Sequence, residues 1–308
     1  MHLITLKDWS QVSTLDTVAR SLEIKNNPSH YSNKLSGKTM ALLFQKTSTR
    51  TRCASEIGIT QLGGQSIYMD WQNTNFGLAD LGDEVRVLSS YADFILARFL
   101  KHSDLQLAAS ASKVPIINGC CDRYHPLQAL TDLMTIQESL GYLDGVKLTY
   151  IGMLNNVANS LITAGLRSGL HVTCVCPETN SAARDTDLYK EASEAGLYMH
   201  VTEFDQLPRI LEKSDVVYTD TWIDMEYFTD PKFSKEKDRR IKLFRPYQLN
   251  VELLQGLDIK ILHCLPAHHG YEITGELLHD PRSLIFTQAE NRLHSQKAVL
   301  LELANSVR

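Results

Sequence analysis

Short runs rich in apolar and β-branched residues recur along this chain, separated by longer helix-like stretches, and that alternation restricts its fold more than any other feature. The runs are Thr39 to Phe44, Ser66 to Met69, Phe94 to Ala97, Val114 to Asn118, Lys147 to Gly152, His171 to Cys176, Asp215 to Thr219 and Ile259 to His263. Alternation of this kind is the βαβ rhythm of parallel sheets. MALLF and VPIIN are apolar without a two-residue period, as strands covered by helices on both faces should be. With 308 residues the chain exceeds what one core usually needs. The expected fold is therefore α/β, with two doubly wound parallel-sheet domains. The break between them is placed near Gln137 to Gly145, where ESLGYLDG carries two glycines, with the second domain starting near Val146.

Charge and cysteine usage exclude several functions. The formal charge is −5, so no general basic field invites nucleic acid or an anionic membrane, and any anion site must be local. The six cysteines show neither zinc spacing nor the density of a disulfide scaffold. MHLITLKDWS has neither the apolar core of a signal peptide nor the Arg-rich pattern of a transit peptide, and no apolar run approaches membrane-spanning length. A soluble, cytoplasmic protein is expected.

Three segments carry the polar groups that chemistry needs. In Phe44 to Arg52, FQKTSTRTR, an apolar strand ends and hydroxyl and guanidinium groups open a helix-like stretch. Ser48, Thr49 and Thr51 can donate hydroxyls, the helix N-terminus adds N–H groups, and an arginine such as Arg50 matches phosphate oxygens bidentately. Plain capping by Ser or Thr is the competing explanation. In His125-Pro-Leu-Gln128, Pro126 suits the first helical position, which sets His125 and Gln128 at one helix mouth where developing negative charge is favoured. A capping or packed histidine would look the same. The third segment, Leu262-His-Cys-Leu-Pro-Ala-His-His269, ends a strand, where open α/β sheets place ligands. Cys264 there reads as an attacking thiolate paired with a histidine, as part of a metal site with His263, His268 and His269, or as a buried small residue.

Further polar groups stand at other strand ends. Asn155 and Asn156 follow KLTYIG and Asp220 follows DVVYT, positions that suit an amino acid's polar head or simple turn chemistry. Arg98 closes FILA, and Arg292 lies in Glu290-Asn-Arg292 before the final helix. The stretch from Asp224 to Tyr247 is charged, weakly periodic and carries two prolines, resembling a long surface loop more than a packed element. Gly152 is followed by MLNNVANS with no further glycine, and no GxxxxGKS occurs, so neither a dinucleotide nor ATP is expected as cofactor.

Taken together, Ser48-Thr-Arg-Thr-Arg52, Arg98 in ILARFLKHSDL, His125-Pro-Leu-Gln128, Asn155-Asn156, Asp220-Thr-Trp222, His263-Cys-Leu-Pro266 and Glu290-Asn-Arg292 resemble the aspartate/ornithine carbamoyltransferase family. They follow the family's order, and HCLP with NN resembles its ornithine branch. The resemblance implies a carbamoyl-phosphate domain over 1–140, an ornithine domain over 146–285 and a helix over 286–308 packing back on the first domain. It implies homotrimers, with active sites at subunit interfaces, and neither metal nor organic cofactor. Ser48, Thr49, Arg50 and Thr51 would hold phosphate, with Arg98, His125, Gln128, Cys264, Leu265 and Arg292 completing the carbamoyl-phosphate set. Asn156, Asp220, Asp224 and Met225 would take L-ornithine, and Arg98, His125, Gln128, Asp220 and Cys264 would be catalytic. The implied activity is carbamoyl transfer to L-ornithine, giving L-citrulline and phosphate in arginine metabolism. The alternatives are another acceptor such as putrescine, or a silent binding member. They arise because Asp224 and Glu226 replace the family's Ser and Gly, Ala79-Asp80 a common Glu-Ser, and Met153-Leu154 an Asp-Gly.

Overall fold

A computed structural model describes residues 1–223 and 231–305. The chain divides into two compact units, Met1–Gly141 with Glu290–Arg308, and Tyr142–Ala289.

In the first unit β1 (Thr39–Phe44), β2 (Gln65–Asp70), β3 (Phe94–Arg98) and β4 (Ile116–Asn118) form a parallel sheet in the order β2-β1-β3-β4. Met40, Ala41, Leu42, Leu43 and Phe44 are all buried, as a strand covered on both faces requires. The helices are α1 (Gln11–Asn26), α2 (Thr49–Gln61), α3 (Leu81–Leu88), α4 (His102–Ala111) and α5 (Pro126–Leu140). The order reverses between β1 and β3, so the chain leaves both strands on opposite sides of one crevice. Phe44 pairs with Arg98 in the register, and the Gln45 N–H donates to the Arg98 carbonyl at 3.0 Å, so the loop after β1 starts beside Arg98.

In the second unit β5 (Lys147–Leu154), β6 (His171–Thr179), β7 (Tyr198–Val201), β8 (Val216–Thr219) and β9 (Lys260–His263) are parallel in the order β7-β6-β5-β8-β9. Its helices are α6 (Asn156–Ser168), α7 (Thr186–Glu194), α8 (Leu207–Leu211), α9 (Ser234–Phe244) and α10 (Gly275–Leu278). Here the reversal falls between β5 and β8. Ile151 pairs with Thr219 and Thr219 with His263, which brings the ends of β5, β8 and β9 together. The β5–β6 register slips between Ile151 and Met153, and Gly152 between them has φ 137°, a conformation costly for any residue with a Cβ.

Helix α11 (Ile285–Asn305) starts in the second unit, and from Glu290 onward it belongs to the first. There its polar face is stitched to α5 and α2, with Ser295 Oγ 2.6 Å from Thr131 Oγ1, Asn291 Nδ2 donating to Thr135 Oγ1 and Gln296 Oε1 accepting from Ser55 Oγ. Among the described residues no helix is long and apolar enough to cross a membrane.

Two elements differ from the sequence expectation. Tyr198–Val201 is an edge strand that YMHV does not announce, because only one of its neighbours is a strand and two of its side chains face solvent. Within the expected loop from Asp224 to Tyr247, Ser234–Phe244 is a helix. Its support is ionic where apolar periodicity is absent: Glu236 accepts from Arg239 and Arg240, and Arg239 also forms a bidentate pair with Glu178. Phe244 is fully buried and stacks on Trp222 at 5.7 Å, in a small cluster with Met153 and Ile223.

Candidate functional site

The sequence-predicted residues assemble at both reversal points, one group in each unit. In the first unit Ser48 is the N-cap of α2, its Oγ accepting from the Thr51 N–H at 3.3 Å, and its carbonyl accepts from the Arg52 N–H. Thr49, Arg50 and Thr51 form the first turn. Capping does not compete with anion binding here, since the cap fixes the turn whose N-terminal dipole favours an anion. The two arginines of STRTR separate cleanly. The Arg52 guanidinium sits over the Tyr68 ring, 3.6 Å from its centroid, and pairs with Glu56, whereas Arg50 is one of the three cations that act on His125.

His125 caps α5 in a non-helical conformation, with Pro126 at the first helical position. It is buried, and burial, followed by the positive charges of Arg292, Arg98 and Arg50, holds its imidazole well below the usual histidine range. His125 is thus a neutral ring beside three guanidinium groups, able to donate a hydrogen bond without adding charge. Arg98 donates from Nη1 to the Gly119 carbonyl at 3.3 Å, while its buried Nε has no hydrogen-bond partner among the described residues. Arg292 is 3% exposed and donates from Nη1 to Gln128 Oε1 at 2.6 Å and from Nη2 to Thr51 Oγ1 at 3.3 Å. Ser48, Thr49, Arg50, Thr51, Arg98, His125, Gln128 and Arg292 therefore belong to one cationic cluster, and a multiply charged anion is what such a cluster binds.

In the second unit Asp220, 6% exposed, is the centre. Its Oδ2 accepts from Asn155 Nδ2 at 2.8 Å, and its Oδ1 accepts from the Thr221 N–H at 2.8 Å and from Cys264 Sγ at 3.1 Å. Asn155 cannot turn its amide over, because its Oδ1 already caps α6 by accepting from the Val157 and Ala158 N–H groups and also accepts from the Tyr150 hydroxyl. Asn156 follows as the first residue of α6. The HCLP turn is held from behind. The Leu265 N–H donates to His263 Nδ1 at 2.8 Å, so the ring proton sits on Nε2 and is donated to Glu272 Oε1 at 3.0 Å. Glu272, fully buried, also accepts from the His268 N–H. Leu265 is thereby fixed at φ 56°, a left-handed conformation uncommon outside glycine.

This geometry decides among the readings of Cys264. His263 cannot act as its base or as a ready metal ligand, since both ring nitrogens are engaged. Asp220, His263 and Cys264 do bring three ligand-type atoms within 4.8 Å of one another, but His268 and His269 do not join them among the described residues. The Cys264 thiol is instead a donor to Asp220. His268 turns its Nδ1 to Thr221 Oγ1 at 3.0 Å, and burial lowers its pKa.

Asp224 and Met225, with Glu226, lie outside the described residues. The other departures from the family pattern are structural: Met153 and Leu154 are buried in β5, and Asp80 caps α3 by accepting from the Asp83 N–H. Sequence reasoning missed the supporting residues Asp132, Asn155 as the holder of Asp220, Thr221 and Glu272. Asn155 and Glu272 act on partners that the fold brings close, whereas Asp132 stands one turn from Gln128 on α5 and Thr221 next to Asp220, spacings too common to single them out.

Comparison with known proteins agrees with the geometry. The family model for the aspartate/ornithine carbamoyltransferase carbamoyl-P binding domain matches residues 1–138, and that for the Asp/Orn binding domain matches 144–303. An ornithine carbamoyltransferase of Moritella profunda is 42% identical over 308 residues, covering 98% of this chain and 99% of the relative. The solved ornithine carbamoyltransferase of Pyrococcus furiosus superposes with a TM-score of 0.90 at 36% identity, covering 100% of this chain and 98% of that one. The anabolic ornithine carbamoyltransferase of Campylobacter jejuni gives a TM-score of 0.87 at 32% identity, with 99% of each chain covered. The chain belongs to the aspartate/ornithine carbamoyltransferase family.

Proposed function

We propose that this protein transfers the carbamoyl group of carbamoyl phosphate to the side-chain amine of L-ornithine, giving L-citrulline and phosphate. The observation that carries the reading is the buried, neutral His125 set among Arg50, Arg98 and Arg292. Carbamoyl phosphate offers a phosphate dianion for the guanidinium groups and a carbonyl oxygen for the imidazole N–H. In this reading the first unit binds carbamoyl phosphate through Ser48, Thr49, Arg50, Thr51, Arg98, His125, Gln128 and Arg292, and the second binds the amino acid. Asp220 receives the α-ammonium group, Asn156 the α-carboxylate side, and Cys264 with the backbone of Leu265 the carbamoyl nitrogen and incoming amine. Asp224 and Met225 complete the ornithine set.

The unprotonated amine attacks the carbonyl carbon, forming the new C–N bond, and the C–O bond to phosphate breaks as the tetrahedral intermediate collapses. The proton shed by the amine leaves with the phosphate. Positioning and stabilisation of charge on the carbonyl oxygen and phosphate supply the catalysis, and a donor already in place gains no opposing charge from a neutral histidine. Like the family's resemblance, the reading includes a homotrimer in the cytoplasm, which light scattering on the purified protein and cell fractionation would test.

The direct test is a colorimetric ureido assay with carbamoyl phosphate against ornithine, putrescine and lysine, in the wild type and in Asp224→Ser. Ornithine should be preferred in both. A wild-type preference for putrescine that reverses in Asp224→Ser would replace ornithine as the acceptor, and no ureido product with any amine would overturn carbamoyl transfer itself.

A further inference from the structure

We propose that Asp132 is a positioning residue for the phosphate half of the site, acting through the Gln128 amide to set the direction in which Arg292 is held. Asp132 and Gln128 lie one helical turn apart on α5, so their side chains share a face. The Gln128 Nε2 donates to Asp132 Oδ1 at 2.8 Å, and Arg292 Nη1 donates to Gln128 Oε1 at 2.6 Å. Gln128 has one accepting and one donating end. A guanidinium has donors only and Asp132 Oδ1 is an acceptor here, so this orientation satisfies both neighbours and the reversed amide satisfies neither. The orientation therefore follows from the chemistry of the two partners.

The chain continues to Arg292 Nη2, which donates to Thr51 Oγ1 in the first turn of α2. Asp132, Gln128, Arg292 and Thr51 are all at most 3% exposed, so water is not at hand to replace a lost partner. Through this chain a residue of α5 that stands a full turn beyond the helix mouth fixes a guanidinium of α11 against the cradle of α2. Replacing Asp132 with Asn keeps the volume but puts a donating NH2 group in place of one carboxylate oxygen, so position 132 no longer presents Gln128 with oxygen only and stops selecting its orientation. Hydrogen bonds in such a buried line polarise one another, and the loss is transmitted to Arg292.

The inference rests on the assignment of Gln128 and Arg292 to carbamoyl phosphate, and the experiment separates the two. Inorganic phosphate is titrated calorimetrically into wild type, Asp132→Asn, Gln128→Ala and the double variant, with kcat and KM for carbamoyl phosphate measured alongside. Asp132→Asn should weaken phosphate binding about tenfold or more in the wild-type background and by less than about threefold when Gln128 is already Ala. A merely structural role would give equal losses in both backgrounds, and that result, or no loss in the single variant, overturns the proposal. Should Asp132→Asn not fold, Gln128→Glu probes the bond from its other end by setting a second carboxylate against Asp132. Phosphate affinity equal to that of the wild type in that variant would likewise overturn it. A wild-type protein that neither binds phosphate nor forms ureido product would instead defeat the functional reading on which the inference stands.

Discussion

Asp220→Asn is the substitution whose consequence follows most directly from the geometry. The side chain keeps its size but exchanges one accepting oxygen for an NH2 group. If that group takes the Oδ2 position it faces Asn155 Nδ2, whose own amide is locked by the α6 cap. If it takes the Oδ1 position it faces the Thr221 N–H and the Cys264 thiol, and the backbone donor cannot turn away. Either arrangement sets donor against donor in a residue 6% exposed, which should cost about 1–3 kcal/mol of stability. The larger functional loss is the negative charge itself. A charge-assisted hydrogen bond to an ammonium group is worth about 1.5–3 kcal/mol, so kcat/KM for ornithine should fall roughly 10- to 150-fold. The cationic cluster belongs to the other unit, so the dissociation constant for inorganic phosphate should stay within about twofold of wild type, as expected for separate sites. Initial rates against ornithine at saturating carbamoyl phosphate, with phosphate calorimetry on the same preparation, give both numbers. An unchanged kcat/KM for ornithine, or a phosphate affinity that falls in parallel with it, would refute the reasoning.

Arg50→Ala should lower kcat/KM for carbamoyl phosphate by about 2–3 kcal/mol of transition-state binding, since a charge-assisted contact to phosphate is lost; near wild-type turnover would remove Arg50 from the cradle. For His125 the folded pKa lies well below 6.5, through burial and then the neighbouring arginines. The unfolded chain therefore binds the proton first, and stability should fall as pH drops below about 6.5. Urea midpoints for His125→Gln should show a shallower decline between neutral and mildly acidic pH, with a residual slope of the same sign from His2, His268 and His294, which burial also pulls down, His294 to about 4; identical slopes in both proteins would contradict this. Removing the buried, stacked Phe244 ring by Phe244→Ala should cost about 3–5 kcal/mol, whereas Arg239→Ala, which breaks exposed ion pairs, should cost at most about 1 kcal/mol. Denaturation curves that rank them the other way would show that ion pairs, not the aromatic stack, anchor α9.

The strand ends were the legible part of this molecule. An apolar run without alternation marks a doubly covered strand, and the polar residues just beyond it mark where a ligand is offered, so Ser48, Arg98, Asn155, Asp220 and Cys264 could be singled out before any contact was known. What could not be read is which strands neighbour one another. The reversal between β1 and β3 makes one cluster of Arg98 and Ser48, and the reversal between β5 and β8 makes another of Asn155 and Asp220. Supporting groups were equally hidden. Glu272 looks like any loop carboxylate until the fold places it against His263, and Asp132 like any polar position of α5 until Gln128 is seen bonding to it. The segment Ser234–Phe244 misled for a different reason, because a helix held by ion pairs shows no apolar period to detect.

The path of α11 has a consequence for how the molecule is made. Synthesis delivers the strands of the first sheet before those of the second, yet Ser55, Gln128, Thr131 and Thr135 meet Gln296, Arg292, Ser295 and Asn291 only after residue 289 has emerged. The second unit, Tyr142–Ala289, is continuous and has no such wait. The half translated first is thus the half completed last, and Arg292, on which the anion cluster depends, arrives with the segment that completes it. A nascent chain stalled anywhere before α11 holds four buried-type polar side chains without their partners and lacks one of the three guanidinium groups around His125. The cationic cluster around His125 is in this way complete only once α11 has been made, and the first sheet with its earlier helices does not hold it alone.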